Sequence, residues 1–363
     1  MKATLARGEL LASLNIVSKG TSSRTTLPIL SGILISATNE GLVMQATDLE
    51  VSVKARVDAS VEKPGQVVAN GRLLVDIVRS MSEEAVTLAT SGTDLVVSGA
   101  QSSFKMKTLP ADDFPKFPEV GQGDSVVIPT ALFSAVVKQV SRAVSRDETR
   151  PVLTGMLVSV EAARLRMVAT DSYRLAVREV MLPEPVAETI EVIVPGKALE
   201  EVGRLVGETE TLSFGVSENQ VVFEFGSTVY ISRRIDGNYP NYAQLVPGEH
   251  QTRVVAERAE LTDAVKRVSL LAQHNAPLKF GVSEATLTLS AATPDVGEAT
   301  DSMMAQTEGP GLEIAFNPTF LSDGILSSES ETIAVEMTNP LKPAVIKDPE
   351  QEGFLYLLMP VRL

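Results

Sequence analysis

The sequence predicts an α+β fold of three similar domains, each with two helices packed on antiparallel sheets, and three observations predict it. Ala46-Thr47-Asp48 recurs as Ala169-Thr170-Asp171, 123 positions later, and as Ala292-Thr293-Pro294-Asp295 after 123 more. A proline and an apolar run precede each copy: Leu27-Pro28-Ile29-Leu30-Ser31-Gly32, Arg150-Pro151-Val152-Leu153-Thr154-Gly155 and Ala276-Pro277-Leu278-Lys279-Phe280-Gly281, at offsets of 123 and 126. Around these landmarks, helical periodicities mix with short β-branched runs set off by Gly and polar turns, the pattern of α+β domains. A period near 123 in 363 residues gives three domains of ordinary size, expected at 1–120, 124–248 and 249–363.

Each domain opens with an amphipathic helix. Leu10, Leu14 and Val17 share a face in the first, Phe133, Val137, Val140 and Val144 in the second, and Leu261, Val265 and Val268 in the third. The starts fall near Arg7, Thr130 and Ala259. A second helix enters midway, at Asn70-Gly71, Pro195-Gly196 and Asn317-Pro318, residue types suited to a helix N-terminus. Residues 41–44, 87–88, 95–98, 212–216 and 221–225 read as antiparallel strands. Proline-rich links at 109–115 and 236–242 close the first two domains.

The chain has no cysteine, which excludes disulfides, thiolate chemistry and cysteine-ligated metals and fits a reducing cytoplasm. Arg7 and Glu9 fall where a signal peptide would need its apolar core, and no run reaches membrane-spanning length. The net charge of −14 is unevenly spread. The six helical segments 7–19, 70–81, 130–146, 196–206, 258–273 and 316–328 together carry +5, which leaves −19 on the remainder. Lys138, Arg142 and Arg146 form an i, i+4 stripe opposite the apolar face of their helix, with no acid of that helix between them. Arg72 and Arg79 lie opposite Leu73 and Ile77, and Lys197 and Arg204 opposite Leu199 and Val202. A basic helical layer in an acidic protein is expected to face a polyanion, although outward cations on any one helix serve equally to keep it solvated.

A search for chemistry finds little. His250 and His274 are the only histidines, and neither stands in a recognisable catalytic order with Ser or Asp. Asp48 and Asp171 could serve as carboxylates for acid-base work or Mg²⁺ binding, but Asp after Thr at a strand-turn junction commonly accepts backbone hydrogen bonds. Val194-Pro195-Gly196-Lys197 lacks the first Gly and the Ser or Thr of a phosphate loop. Five Tyr, 11 Phe and no Trp leave few rings for stacking bases, so any contact with DNA would be to the phosphates, without sequence preference. No catalytic residue, cofactor or metal is therefore assigned. The apolar run 354–363 reads either as a last buried strand or as the wall of a groove for a partner peptide.

Taken together, TLPILSGILI at 26–35, ATDLEVSV at 46–53, TLPADDFP at 108–115, ATDSYRLAV at 169–177 and LLMPVRL at 357–363 resemble the bacterial DNA polymerase III beta subunit, the sliding clamp, over the whole chain. The resemblance implies a non-catalytic processivity factor: a head-to-tail homodimer ring of six similar domains, with helices around duplex DNA and sheets outside. Arg24 matches a family DNA contact and Arg150 adjoins another, joining Arg72, Arg79, Lys138, Arg142, Arg146, Lys197, Arg204 and Lys266 as DNA-facing cations.

The resemblance also implies a pocket between the second and third domains for short linear motifs of polymerase, clamp loader and repair proteins. Its wall carries over to Leu153, Thr170, Ser172, Tyr173, Arg174, Leu175, Pro240, Gln244, Leu245, Leu341, Pro343, Leu357, Met359, Pro360, Val361, Arg362 and Leu363. Three departures stand out: Ser172-Tyr173 where many relatives have Gly-His, Gln244 in place of a basic residue, and Pro151-Val152 where aromatic residues often follow the arginine. At the dimer seam, Phe104 is expected to pack on Leu270 and Leu271, with Lys105 and Lys107 facing Glu298 and Asp301 across adjoining edge strands.

Overall fold

The computed structural model describes residues 1–22, 26–119, 125–273 and 276–362. Six α-helices run through them: α1 (Arg7–Val17), α2 (Gly71–Ser80), α3 (Thr130–Val140), α4 (Gly196–Leu205), α5 (Arg258–Ser269) and α6 (Pro318–Ser327). The mid-domain entries form as their residue types dictate. Asn70 Oδ1 accepts from the Leu73 N–H at 3.0 Å, and Asn317 Oδ1 from Thr319 and Phe320 at 2.9 and 3.2 Å, caps that stabilise a helix by about 1 kcal/mol.

The threefold repeat appears as one hydrogen bond made three times. The first N–H of a domain's opening helix, which has no intrahelical partner, donates to the carbonyl just ahead of a later strand. The pairs are Arg7 to Glu84 at 2.8 Å, Thr130 to Glu210 at 3.0 Å and Arg258 to Glu331 at 2.8 Å. The apolar landmarks repeat as well. Pro28–Ser31 and Pro151–Thr154 each form a 3₁₀ turn closed by a hydroxyl on the proline carbonyl, Ser31 and Thr154 both at 2.7 Å. Ala276-Pro277 leads straight into a strand instead.

The chain folds into two compact units, Met1–Thr130 with Arg204–Arg234, and Ala131–Gly203 with Ile235–Leu363. The first is built on a thirteen-stranded antiparallel sheet, in which Val51–Val57 pairs with Thr228–Arg233. Leu10, Leu14 and Val17 of α1 and Leu74, Ile77 and Val78 of α2 are buried there. Leu73, expected on the buried face, is 48% exposed, because the i, i+3, i+4 set Leu74, Ile77 and Val78 takes the core and turns its neighbour outward. The second unit holds a nine-stranded and a four-stranded sheet. In the larger, Arg174–Met181 lies beside Phe354–Leu358 with Leu175 opposite Leu357.

One helix is shorter than its periodicity predicts. α3 stops at Val140, and Ser141–Ala143 is a 3₁₀ turn closed by the Val144 N–H on the Ser141 carbonyl at 3.1 Å. The Ser145 N–H then donates to Leu153 at 3.0 Å, drawing the chain out of the helical path. Val144 and Arg146 therefore lie beyond the helix, and Arg142 sits on the turn.

Candidate functional site

The two Asp residues of the repeated turn hold backbone. Asp48 Oδ1 accepts from Glu50 and Val51 at 3.0 and 2.7 Å, and Asp171 Oδ1 from Tyr173 and Arg174 at 2.9 and 3.0 Å. The Thr before each bonds the carbonyl four residues on, Thr47 to Val51 at 2.9 Å and Thr170 to Arg174 at 2.7 Å. Both turns place a non-glycine residue in the left-handed region, Leu49 at φ 78° and Ser172 at φ 80°. The third copy differs. Pro294 occupies the place of that Asp, and Thr293 instead bonds Leu271 at 2.6 Å.

All the described residues expected to line the pocket fall in the second unit. Leu157, Val168, Leu175, Ile193 and Leu357 form a buried apolar cluster, against which Val152, Tyr239, Tyr242 and Val246 pack. Leu153 and Thr170 are also buried. Large apolar side chains stay in solvent: Tyr173 (61% exposed), Leu245, Leu341, Met359 and Val361. Pro240, Gln244 and Arg362 are exposed, while Pro343 and Pro360 are half-buried. The terminal segment is fixed in place, the Met359 N–H on the Tyr173 carbonyl at 2.9 Å and the Val361 N–H on Ala315 at 2.8 Å. Of the two readings of 354–363, the structure bears out the strand: Phe354–Leu358 is buried, and the described residues after it are exposed or half-buried. Leu363 lies outside the described residues.

Arg174 is the electrostatic centre of this region. Its Nε donates to Asp171 Oδ2 at 2.9 Å, and its Nη1 to Asp323 Oδ2 at 2.5 Å and to the Tyr356 hydroxyl at 3.2 Å. The guanidinium carbon stands 4.3 Å above the Phe320 ring, which stacks in turn on Tyr173 at 6.3 Å between centroids. Burial opposes the Arg174 charge, but Tyr356, Asp323 and Asp171 more than offset it and its pKa is raised. The Tyr356 hydroxyl, pushed up by burial, donates to the Phe320 carbonyl at 3.0 Å.

The basic positions divide between the units. Arg72, Arg79 and Arg204 are exposed in the first; Lys197, Arg146 and Lys266 are exposed in the second. Two cations of the stripe meet acids that their own helix lacks. Lys138 Nζ pairs with Glu329 at 2.7 Å, and Arg142 Nη1 with Asp323 Oδ1 at 3.3 Å. Arg150 bonds Asp147 and the Ser172 hydroxyl, both at 3.0 Å, so it adjoins the Thr170-Asp171 turn. Arg24 lies outside the described residues.

Each unit also carries an open sheet edge. Ser103–Leu109 is paired on one side through Ser103–Lys107 and meets its other neighbour only at Thr108 and Leu109. Gly297–Met304 is the terminal strand of the four-stranded sheet. Within the chain, Lys105 and Lys107 pair with Asp94 at 3.0 and 2.7 Å, and Asp301 pairs with Arg267 at 2.7 Å. Phe104 and Leu271 are half-buried, Glu298 is exposed and Leu270 is 70% exposed.

Family models of the DNA polymerase III beta subunit match in sequence order: the N-terminal domain at 1–118, the central domain at 127–241 and the C-terminal domain at 243–362. The chain is 34% identical over 375 residues to the beta sliding clamp of Streptomyces coelicolor and 32% identical over 376 to that of Bacillus subtilis, with all of both chains covered in each case.

The chain belongs to the beta sliding clamp family.

The crystal structure of the Bacillus subtilis DNA polymerase sliding clamp superposes with a TM-score of 0.95 at 31% identity, covering 100% of this chain and 99% of that one. The DNA polymerase III beta subunit of Thermotoga maritima gives 0.94 at 30%, with the same coverage. As a beta sliding clamp, the chain is a DNA polymerase processivity factor with the clamp's α+β fold. Three side chains that contact Arg174 were not among the residues expected from the sequence, Phe320, Asp323 and Tyr356. Asp323 left a signal, as the only charge on α6. It stands out once the facing chain is seen to bring Arg142 and Arg174 to it.

Proposed function

We propose that two copies close head to tail around duplex DNA, which they hold without sequence preference. The groove of the second unit then takes short linear motifs of the replicative polymerase, the clamp loader and repair proteins. The domains are assigned to 1–120, 124–248 and 249–363, the setting to the cytoplasm, and no chemistry to the clamp itself. The observation that carries the groove is the set of exposed apolar side chains Tyr173, Leu245, Leu341, Met359 and Val361, gathered in one unit with a buried apolar cluster. The open edges at 103–107 and 297–304 support the ring, since a head-to-tail contact covers both. Tethering raises the polymerase's effective concentration at the primer end without any catalytic group.

Met359→Ala is expected to weaken a bound peptide about tenfold, roughly 1.4 kcal/mol, and to leave the dimer mass unchanged. Unaltered affinity in a titration would take Met359 out of the groove.

The basic faces are tested by salt. Removing Arg72 and Lys138 together is expected to flatten the slope of log affinity against log salt by roughly 2, because each phosphate that is no longer neutralised lowers it by about 0.9. An unchanged slope would return both side chains to the role of solvation.

A further inference from the structure

We propose that Asp323 couples the peptide groove to the basic face, so that a phosphate taken up by Arg142 tightens the groove; this rests on the reading of both faces given above. The carboxylate is shared between two cations that compete for it. Arg174 holds Oδ2 at 2.5 Å, and Arg142 holds Oδ1 at 3.3 Å.

The two contacts differ in strength. Arg174 has further partners in Asp171, Tyr356 and the Phe320 face, and its side chain is 10% exposed. Arg142 makes the longer bond, its side chain is 34% exposed, and its buried Nε has no hydrogen-bond partner. Arg142 is therefore the partner that an incoming anion can draw away, because the new acceptor also relieves a poorly satisfied guanidinium.

Once Arg142 has left, the Asp323 charge is neutralised by Arg174 alone. Arg174 is then held more firmly over Phe320, and through it the ring against which Tyr173 stacks. A wall ordered before the peptide arrives costs less to bind. The coupling is reciprocal, so an occupied groove favours DNA to the same degree.

The experiment is a double-mutant cycle on the DNA-free dimer, read by anisotropy of a short fluorescein-labelled peptide with leucine and phenylalanine anchors. Arg142→Ala mimics withdrawal of that cation and is expected to tighten the peptide roughly threefold, while Asp323→Asn loosens it roughly tenfold. In the Asp323→Asn background, Arg142→Ala should change nothing. Saturating linear duplex should tighten the peptide on the wild type and leave Arg142→Ala unmoved.

Additive effects across the cycle, an inert Arg142→Ala, or equal tightening by duplex in both proteins would overturn the coupling. Arg142→Ala alone carries the test if Asp323→Asn does not fold. A wild-type dimer that binds no such peptide would instead overturn the groove reading, and the coupling with it.

Discussion

Arg174→Ala is expected to cost about 3 kcal/mol of stability and to remove measurable peptide binding, because it breaks a buried charge network from the centre. The substitution leaves Asp171 and Asp323 facing each other without the guanidinium that bonds both. It also takes the hydrogen-bond donor from the Tyr356 hydroxyl and uncovers the Phe320 ring. Lysine should not rescue it. A single ammonium cannot span Asp171 and Asp323 while lying flat on a ring 4.3 Å away, which the planar fork of arginine does. Denaturant titration and peptide anisotropy on both variants check the claim. Wild-type stability with an intact peptide affinity would show that the network is incidental.

The second large effect concerns the ring. Leu270 follows α5 with 70% of its surface exposed, and Leu271 beside it is 3.3 Å from where a side chain on Gly297, at the head of the open edge strand, would begin. If this corner packs against Phe104 of a second copy, Leu270→Asp places a desolvated charge at the seam. A loss of about 3 kcal/mol, more than a hundredfold in dissociation constant, is expected. Light scattering should then give the mass of one chain where the wild type gives twice that. A persistent dimer would move the seam elsewhere.

The fold was legible because the repeat copies its hydrogen bonds as well as its letters. The Thr-Asp turns at 47–48 and 170–171 close alike, and their spacing alone marks the domains. Periodicity placed the faces of α1 and α5 well, since Leu10, Leu14 and Val17 and Leu261, Val265 and Val268 are all buried, whereas in α2 it took Leu73 for the buried neighbour Leu74. It overran α3, where a tertiary bond from Ser145 to Leu153 ends the helical path.

The site was half legible. Its apolar members lie in stretches that resemble the family, but its electrostatics come from residues far apart in sequence. Arg142, Arg174 and Asp323 meet only after the 3₁₀ turn, a strand edge and α6 are assembled. The stripe of Lys138 and Arg142 looked unopposed for the same reason, its acids standing some 180 to 190 positions later, at Asp323 and Glu329.

Retention on DNA tests the central claim most directly. The dimer would be loaded onto circular and linear duplex of equal length at moderate salt, with clamp loader and ATP, and followed over time. Enclosure predicts stable retention on circles and rapid loss from linear ends. Equal retention on both would mean surface binding and would contradict the ring.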